Sequence, residues 1–221
     1  MLPVLSLLET RVLGVLVEKQ HTVADTYPLT LNSLVAGCNQ KTSRDPVIEA
    51  TEDEVQATID RLKGHSLVME SSGGRVMRYA HNVGKVLAIP PQSVALLAIL
   101  FLRGPQTAGE LRINSERLHK FGDILSVEAF LRELNERREG SLVRELPRQP
   151  GARETRWAHL VSGEPVIGAP DAGTAQDAGG GDALGVSEIA AMRAQIGQLQ
   201  SEITTLKETV ARLCRELGIA P

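Results

Sequence analysis

Two stretches of this chain carry the same order of local signals, and that repetition constrains the fold more than any other feature. Thr30 and Thr107 each precede a short helical pattern (offset 77), Val55 and Val127 point inward from a longer one (offset 72), and Leu67 and Leu142 open strand-like runs (offset 75). Tyr79-Ala-His81 and Trp157-Ala-His159 close the two stretches, 78 residues apart. Preserved order with unequal offsets is what a duplicated unit with loops of different length leaves behind.

In the first copy, the segment SLLETRVLGVLVEKQ and the residue before it place Leu5, Leu8, Val12, Val15 and Leu16 at steps of three and four, one face of a helix. Thr30 reads as the N-cap of a second helix ending near Asn39, and a third helix runs from Thr51 to Gly64 with Val55, Ile59 and Leu62 inward. LVME, SSGG and RVMRYA then read as strand, glycine turn, strand. The second copy offers helices at Gln92–Arg103, around Thr107–Leu111 and at Ser126–Arg138, the last with Val127, Phe130, Leu131 and Leu134 inward. Strands at Ser141–Leu146 and Glu154–Leu160 flank a tip rich in Pro, Gly and Arg. Three helices closed by a hairpin is the order of a winged-helix domain, a relative of the helix-turn-helix group. The expectation is a mainly α chain of the α+β class, with tandem winged-helix domains over residues 1–89 and 90–163. Aromatic residues make up only 3% of the chain, so its cores must be aliphatic.

Beyond these copies the composition changes. Residues 164–186 hold six glycines in 23 positions and few large apolar groups, the signature of a flexible linker. Residues 187–218 follow with a heptad seam: Ile189, Ile196, Ile203, Val210 and Leu217 at a, and Met192, Leu199, Leu206 and Leu213 at d. β-Branched residues at a with Leu at d favour a parallel two-stranded coiled coil, and g-to-e pairing would set Glu188 against Arg193 and Glu202 against Lys207. A homodimer through this helix is the expected assembly.

Catalytic and metal chemistry lack their parts. The chain has no GxSxG elbow, no HExxH pair and no Walker loop, since Gly84-Lys85 is followed by Val. His21, His65, His81, His119 and His159 are scattered without a second ligand one helical turn away, and Cys38 and Cys214 lie far apart. No enzyme, cofactor or metal is expected. The apolar start carries Glu9 and Arg11 and no basic run, and the longest apolar stretch, Val94–Leu102, is nine residues. Neither a secretory signal nor a membrane span fits, and a reducing, cytoplasmic setting suits two distant thiols.

Winged helices usually bind nucleic acid, so basic residues at loop and wing positions are the natural candidates. Net charge is −3 overall, but residues 90–163 carry 11 cations against 9 anions, ten of the cations being Arg. Arg144, Arg148, Arg153 and Arg156 concentrate on the second wing, with Arg75 and Arg78 as weaker counterparts on the first. Lys41 and Arg44, in the loop after the second helix, could reach phosphate or could fix the loop by local hydrogen bonds. Opposed to DNA docking are Glu52, Asp53 and Glu54 at the start of the first copy's third helix. The alternative reading is a protein-interaction adaptor. A continuous basic stripe over both wings would favour DNA, and a broken stripe beside an exposed apolar patch would favour a protein partner.

Three strings carry a resemblance: DTYPLTLNSLVAGCNQKTSRDPV at 25–47, LRGPQTAGELR at 102–112 and LPRQPGARE at 146–154. Over roughly residues 5–163 the chain resembles the YceH-like family of uncharacterised bacterial proteins. That resemblance implies tandem winged-helix domains in a bacterial cytosolic protein and assigns no biochemical role. The linker and the heptad helix are less typical of the family, so the dimer rests on the seam itself. Replacing Ile203 with Asp puts a charge in that seam and is expected to give monomers on size-exclusion chromatography; a persistent dimer would mean that another surface holds the subunits.

Overall fold

The computed structural model describes residues 3–72, 76–149 and 151–165; Arg75, most of the expected linker and the entire heptad segment lie outside the described residues. Within them the chain is a helix-rich α+β structure with seven α-helices and two antiparallel two-stranded sheets.

Helix starts follow their capping chemistry. Helix α1 (Leu7–Thr22) opens on a capping box in which Glu9 N–H donates to Ser6 Oγ at 3.3 Å and Ser6 N–H to Glu9 Oε2 at 2.7 Å. Thr30 caps α2 (Leu31–Cys38), and Thr51 with Glu54 forms the box of α3 (Glu52–Gly64). The hairpin β1 (Val68–Ser72) and β2 (Met77–His81) places Glu70 opposite Tyr79. A short helix α4 (Val83–Leu87), with no counterpart in the sequence reading, leads into α5 (Pro91–Arg103).

The second half repeats the order: α6 (Ala108–Asn114) with the Thr107–Glu110 capping box, α7 (Ile124–Asn135), then β3 (Val143–Glu145) paired with β4 (Trp157–His159). Helix α7 starts two residues ahead of the expected Ser126 because Asp123 is its cap, accepting from Ser126 N–H at 2.7 Å. It also ends at Asn135, before the expected Arg138. Both strands are shorter than the expected runs, and β3 ends ahead of Pro147, a residue that cannot donate to a ladder. Each sheet gains a one-residue third strand just before the repeat's second helix. Leu29 bridges to Tyr79 and Gln106 to Trp157, with paired N–H···O contacts of 2.7–3.1 Å.

Buried side chains of both repeats make one continuous core. Every residue of α5 from Ser93 to Leu102 is buried, as expected of a helix apolar on all sides that is covered by α1 on one face and by α6, α7 and β4 on others. Its heaviest contact is with α1. The two backbones approach so closely at Gly14 that a Cβ there would sit 2.8 Å from Leu102 Cγ and 3.3 Å from the carbonyl oxygen of Ala98. The N-terminal stretch is tied to the end of the second repeat by Leu5 N–H donating to Val161 O at 2.9 Å. Ala in place of Gly14 gains about 1 kcal/mol of helix propensity but overpacks a junction where Leu102 cannot yield, at a cost of about 1–3 kcal/mol. Net destabilisation in urea denaturation is the expected result; a stabilised variant would show that the helices are not in close contact.

Candidate nucleic-acid interface

Local structure decides which cations are available. Arg44 follows Ser43, whose φ of 60° turns the loop back on itself, and its side chain enters the protein. It is 6% exposed and grips Glu18 of α1 bidentately at 3.1 and 2.7 Å, while Nε donates to Gly37 O at 3.1 Å. This guanidinium is committed to an internal pair. Burial opposes ionisation of Glu18, but the hydrogen bonds and charge of Arg44, with Lys19 beside it, outweigh that cost and hold the carboxyl below its usual range.

Directly behind it lies Arg11, fully buried on α1. Its Nη1 donates to Cys38 O at 3.2 Å and its Nη2 to Pro46 O at 2.6 Å, with Nε lacking a partner among the described residues. The end of α2 and the far side of the loop are thereby joined to the same helix. Asn39 completes the anchoring: its amide donates to Ala50 O and accepts from Ala50 N–H, each at 2.8 Å. Neither Arg11 nor Glu18 figured among the candidate residues. The signal for Arg11 is a charge within an otherwise apolar helical run, whereas Glu18 stands at the polar end of that run beside Lys19 and Gln20 and gives none.

The remaining candidates separate into three groups. Arg78 is half-buried and donates to the carbonyls of Thr26 and Pro28 at 3.1 and 2.8 Å, clasping the turn before α2. Arg144 is exposed and paired with Glu164, and Arg156 lies 4.0 Å from Glu110. Lys41, Arg148 and Arg153 are exposed and have no ion-pair partner among the described residues. Arg148 and Arg153 both stand on the connection between β3 and β4, with Arg156 next to the start of β4, whereas Arg44 is buried.

The helices that would accompany these arginines are not basic. Helix α3 begins with exposed Glu52, Asp53 and Glu54, and on α7 Arg132 is paired with Glu128 at 3.0 Å. Around α6 and α7, Ile113 and Leu125 are 66% and 71% exposed, with Ile124 exposed beside them.

His81 and His159, at equivalent positions after the hairpins, are both pushed down to about 4 by burial, with His21 adding to the effect at His81. Each Nδ1 is buried without a partner among the described residues; His81 Nε2 meets Gln20 Oε1, and His159 packs edge-on against Phe101 at 4.9 Å. Neutral imidazoles in the fold mean that stability is complete above the ordinary histidine range and falls as pH drops from about 6.5 towards 4. Among the described residues no group of three His, Cys, Asp or Glu side chains is placed to hold a metal ion, and no helix is long and apolar enough to cross a membrane.

Comparison with known proteins returns one family. Residues 5–152 match the model described as "Protein of unknown function, DUF480". A UPF0502 protein of Burkholderia cenocepacia is 58% identical over 212 residues, covering 96% of this chain and 89% of the relative. One from Dechloromonas aromatica is 56% identical over 214 residues, covering 97% and 98%, and one from Burkholderia vietnamiensis is 59% identical over 213 residues, covering 96% and 89%. Coverage this complete includes sequence beyond residue 163, so the tail is shared with these relatives and is not peculiar to this chain.

Replacing Arg44 with Ala leaves the half-buried Glu18 charge with only Lys19 at 3.2 Å, a loss of about 3 kcal/mol at neutral pH, the low end for a broken buried pair. Because the Glu18 carboxyl is depressed in the fold, the stability it confers is present above the ordinary carboxylate range and is lost as pH falls through the lowered value. The penalty for Arg44→Ala, read from urea denaturation, should shrink at acid pH; a penalty independent of pH would contradict the pairing.

Proposed function

This chain belongs to the DUF480 family of proteins of unknown function, and from that footing we propose that it is a non-enzymatic winged-helix protein that associates with duplex DNA through the hairpin of its second repeat. The winged-helix reading is supported by the order helix, helix, helix, two-stranded sheet occurring twice, each with a bridging third strand in the same place. In that architecture the third helix approaches the major groove and the wing touches the backbone or minor groove. The observation that carries DNA binding is the wing tip: Arg148 and Arg153 are exposed without carboxylate partners among the described residues, and Arg156 stands nearby. Guanidinium groups in that state suit phosphate or a narrow minor groove. With α3 acidic and α7 self-neutralised, contact would be dominated by the backbone and weakly sequence-selective.

A second reading, a protein-docking module, is favoured by a specific observation. Ile113, Ile124 and Leu125 expose apolar surface on the helices that DNA would otherwise face, and the basic residues do not run continuously from one wing to the other. In either case pairing of two chains through the heptad seam would raise the effective concentration of the second set of domains.

Binding of random duplex DNA at several salt concentrations tests the first reading. Replacing Arg148, Arg153 and Arg156 together with Ala should abolish retention while preserving the circular dichroism spectrum. Loss of three phosphate contacts should flatten the log–log salt dependence by about 2.5–3. Unchanged retention would reject the assignment and leave the docking module.

A further inference from the structure

Where the loop after α2 meets the end of α5 and the start of α6, the two repeats border an open cleft of about 340 Å³, at the small end of the range for ligand pockets. Its lining includes three cations, Arg44, Arg103 and Arg156, and two anions, Asp45 and Glu110, together with Gln106 and Asn114. Arg44 is committed to Glu18 at 2.7 Å, which leaves four charges of balanced sign that would ordinarily close into ion pairs. Here the single ion contact among them is Arg156 to Glu110, at 4.0 Å.

Anchors on either side keep the charges apart. Asp45 N–H donates to Leu102 O at 2.8 Å, and the neighbouring Arg44 is locked onto Glu18, so the loop cannot carry the Asp45 carboxylate across the cleft. Arg103, at the end of α5, donates one Nη2 bond to Ser43 Oγ at 2.7 Å and has no carboxylate within ion-pair distance among the described residues. The two amides are fixed as well: Gln106 is buried, and its Oε1 accepts from Asn114 Nδ2 at 2.6 Å. Glu110 is held in place by accepting from Thr107 N–H at 2.9 Å through its other oxygen.

We propose that this cleft binds a small zwitterion of α-amino-acid type, its carboxylate received by Arg103 and Arg156 and its ammonium by Asp45 and Glu110. A simple anion of the same size would be repelled by the two carboxylates, and a simple cation by the two guanidinium groups. Only a ligand bearing both charges replaces the water lost from all four side chains. The assignment shares Arg156 with the DNA reading, whereas Arg103 and Asp45 take no part in that reading, so variants at these two positions test the cleft alone.

Calorimetric titration and thermal denaturation of the full-length protein with each proteinogenic α-amino acid test it, with acetate and methylammonium as single-charge controls. At least one amino acid should bind saturably and raise Tm while neither control does so at the same concentration. Arg103→Met and Asp45→Asn should each weaken binding by about tenfold or more, as expected for one charge-assisted contact. Asp45→Asn changes an exposed side chain that makes no hydrogen bond among the described residues, so it remains decisive even if Arg103→Met fails to fold. Absence of binding by every amino acid, equal binding of acetate or methylammonium, or unchanged affinity in a correctly folded variant would overturn the proposal.

Discussion

The crossing of α1 and α5 at Gly14 is the contact on which the rest of this structure depends. Each repeat has only three helices and a small sheet, and a domain of that size buries a modest fraction of its apolar surface. Laying the first helix of one repeat against the first helix of the other joins the two small interiors into one. A side chain larger than hydrogen at position 14 would hold the helices apart, and Leu96, Leu97 and Leu100 could not then be fully buried.

A second set of constraints is electrostatic and works on the loop between α2 and α3. That segment has no regular structure, so its backbone groups take partners outside any ladder, several of them from side chains. Arg11 supplies two bonds from beneath, Arg44 pairs with Glu18, and Asn39 holds the far end. With the loop immobilised in this way, Asp45 is presented to the second repeat at a fixed position. The cleft between the repeats is thus a product of the same arginines that keep the loop folded. Cys38, enclosed with them, has its thiol pushed up to about 12 by burial, against the pull of Arg11 and Arg44, and is chemically quiet.

Much of this architecture could be read from the residues because it follows from short-range chemistry. Thr30, Thr51 and Thr107 cap the helices they precede, and Val55, Ile59 and Leu62 are fully buried on the predicted face of α3. Helix α4 has too few residues, five, to show a periodicity, and α7 starts ahead of Ser126 because its cap is Asp123, which lies outside the run of inward residues that begins at Val127. The candidate site was legible only in part. A guanidinium's role depends on which carboxylates the fold brings near it, and Glu18 lies 26 residues from Arg44 while Glu164 lies 20 from Arg144. Exposure of Arg148 and Arg153 was readable from their Pro- and Gly-rich tip; burial of Arg44 was not, since its loop is polar throughout.

If the α1–α5 junction makes one body of two repeats, they must unfold together. The probes are built in: Tyr27 and Tyr79, the only tyrosines, lie in the first repeat, and Trp157, the only tryptophan, lies in the second. Following the tyrosine resonances and the tryptophan fluorescence through one urea titration should give coincident midpoints. Separate transitions, with either repeat outlasting the other, would contradict a shared interior.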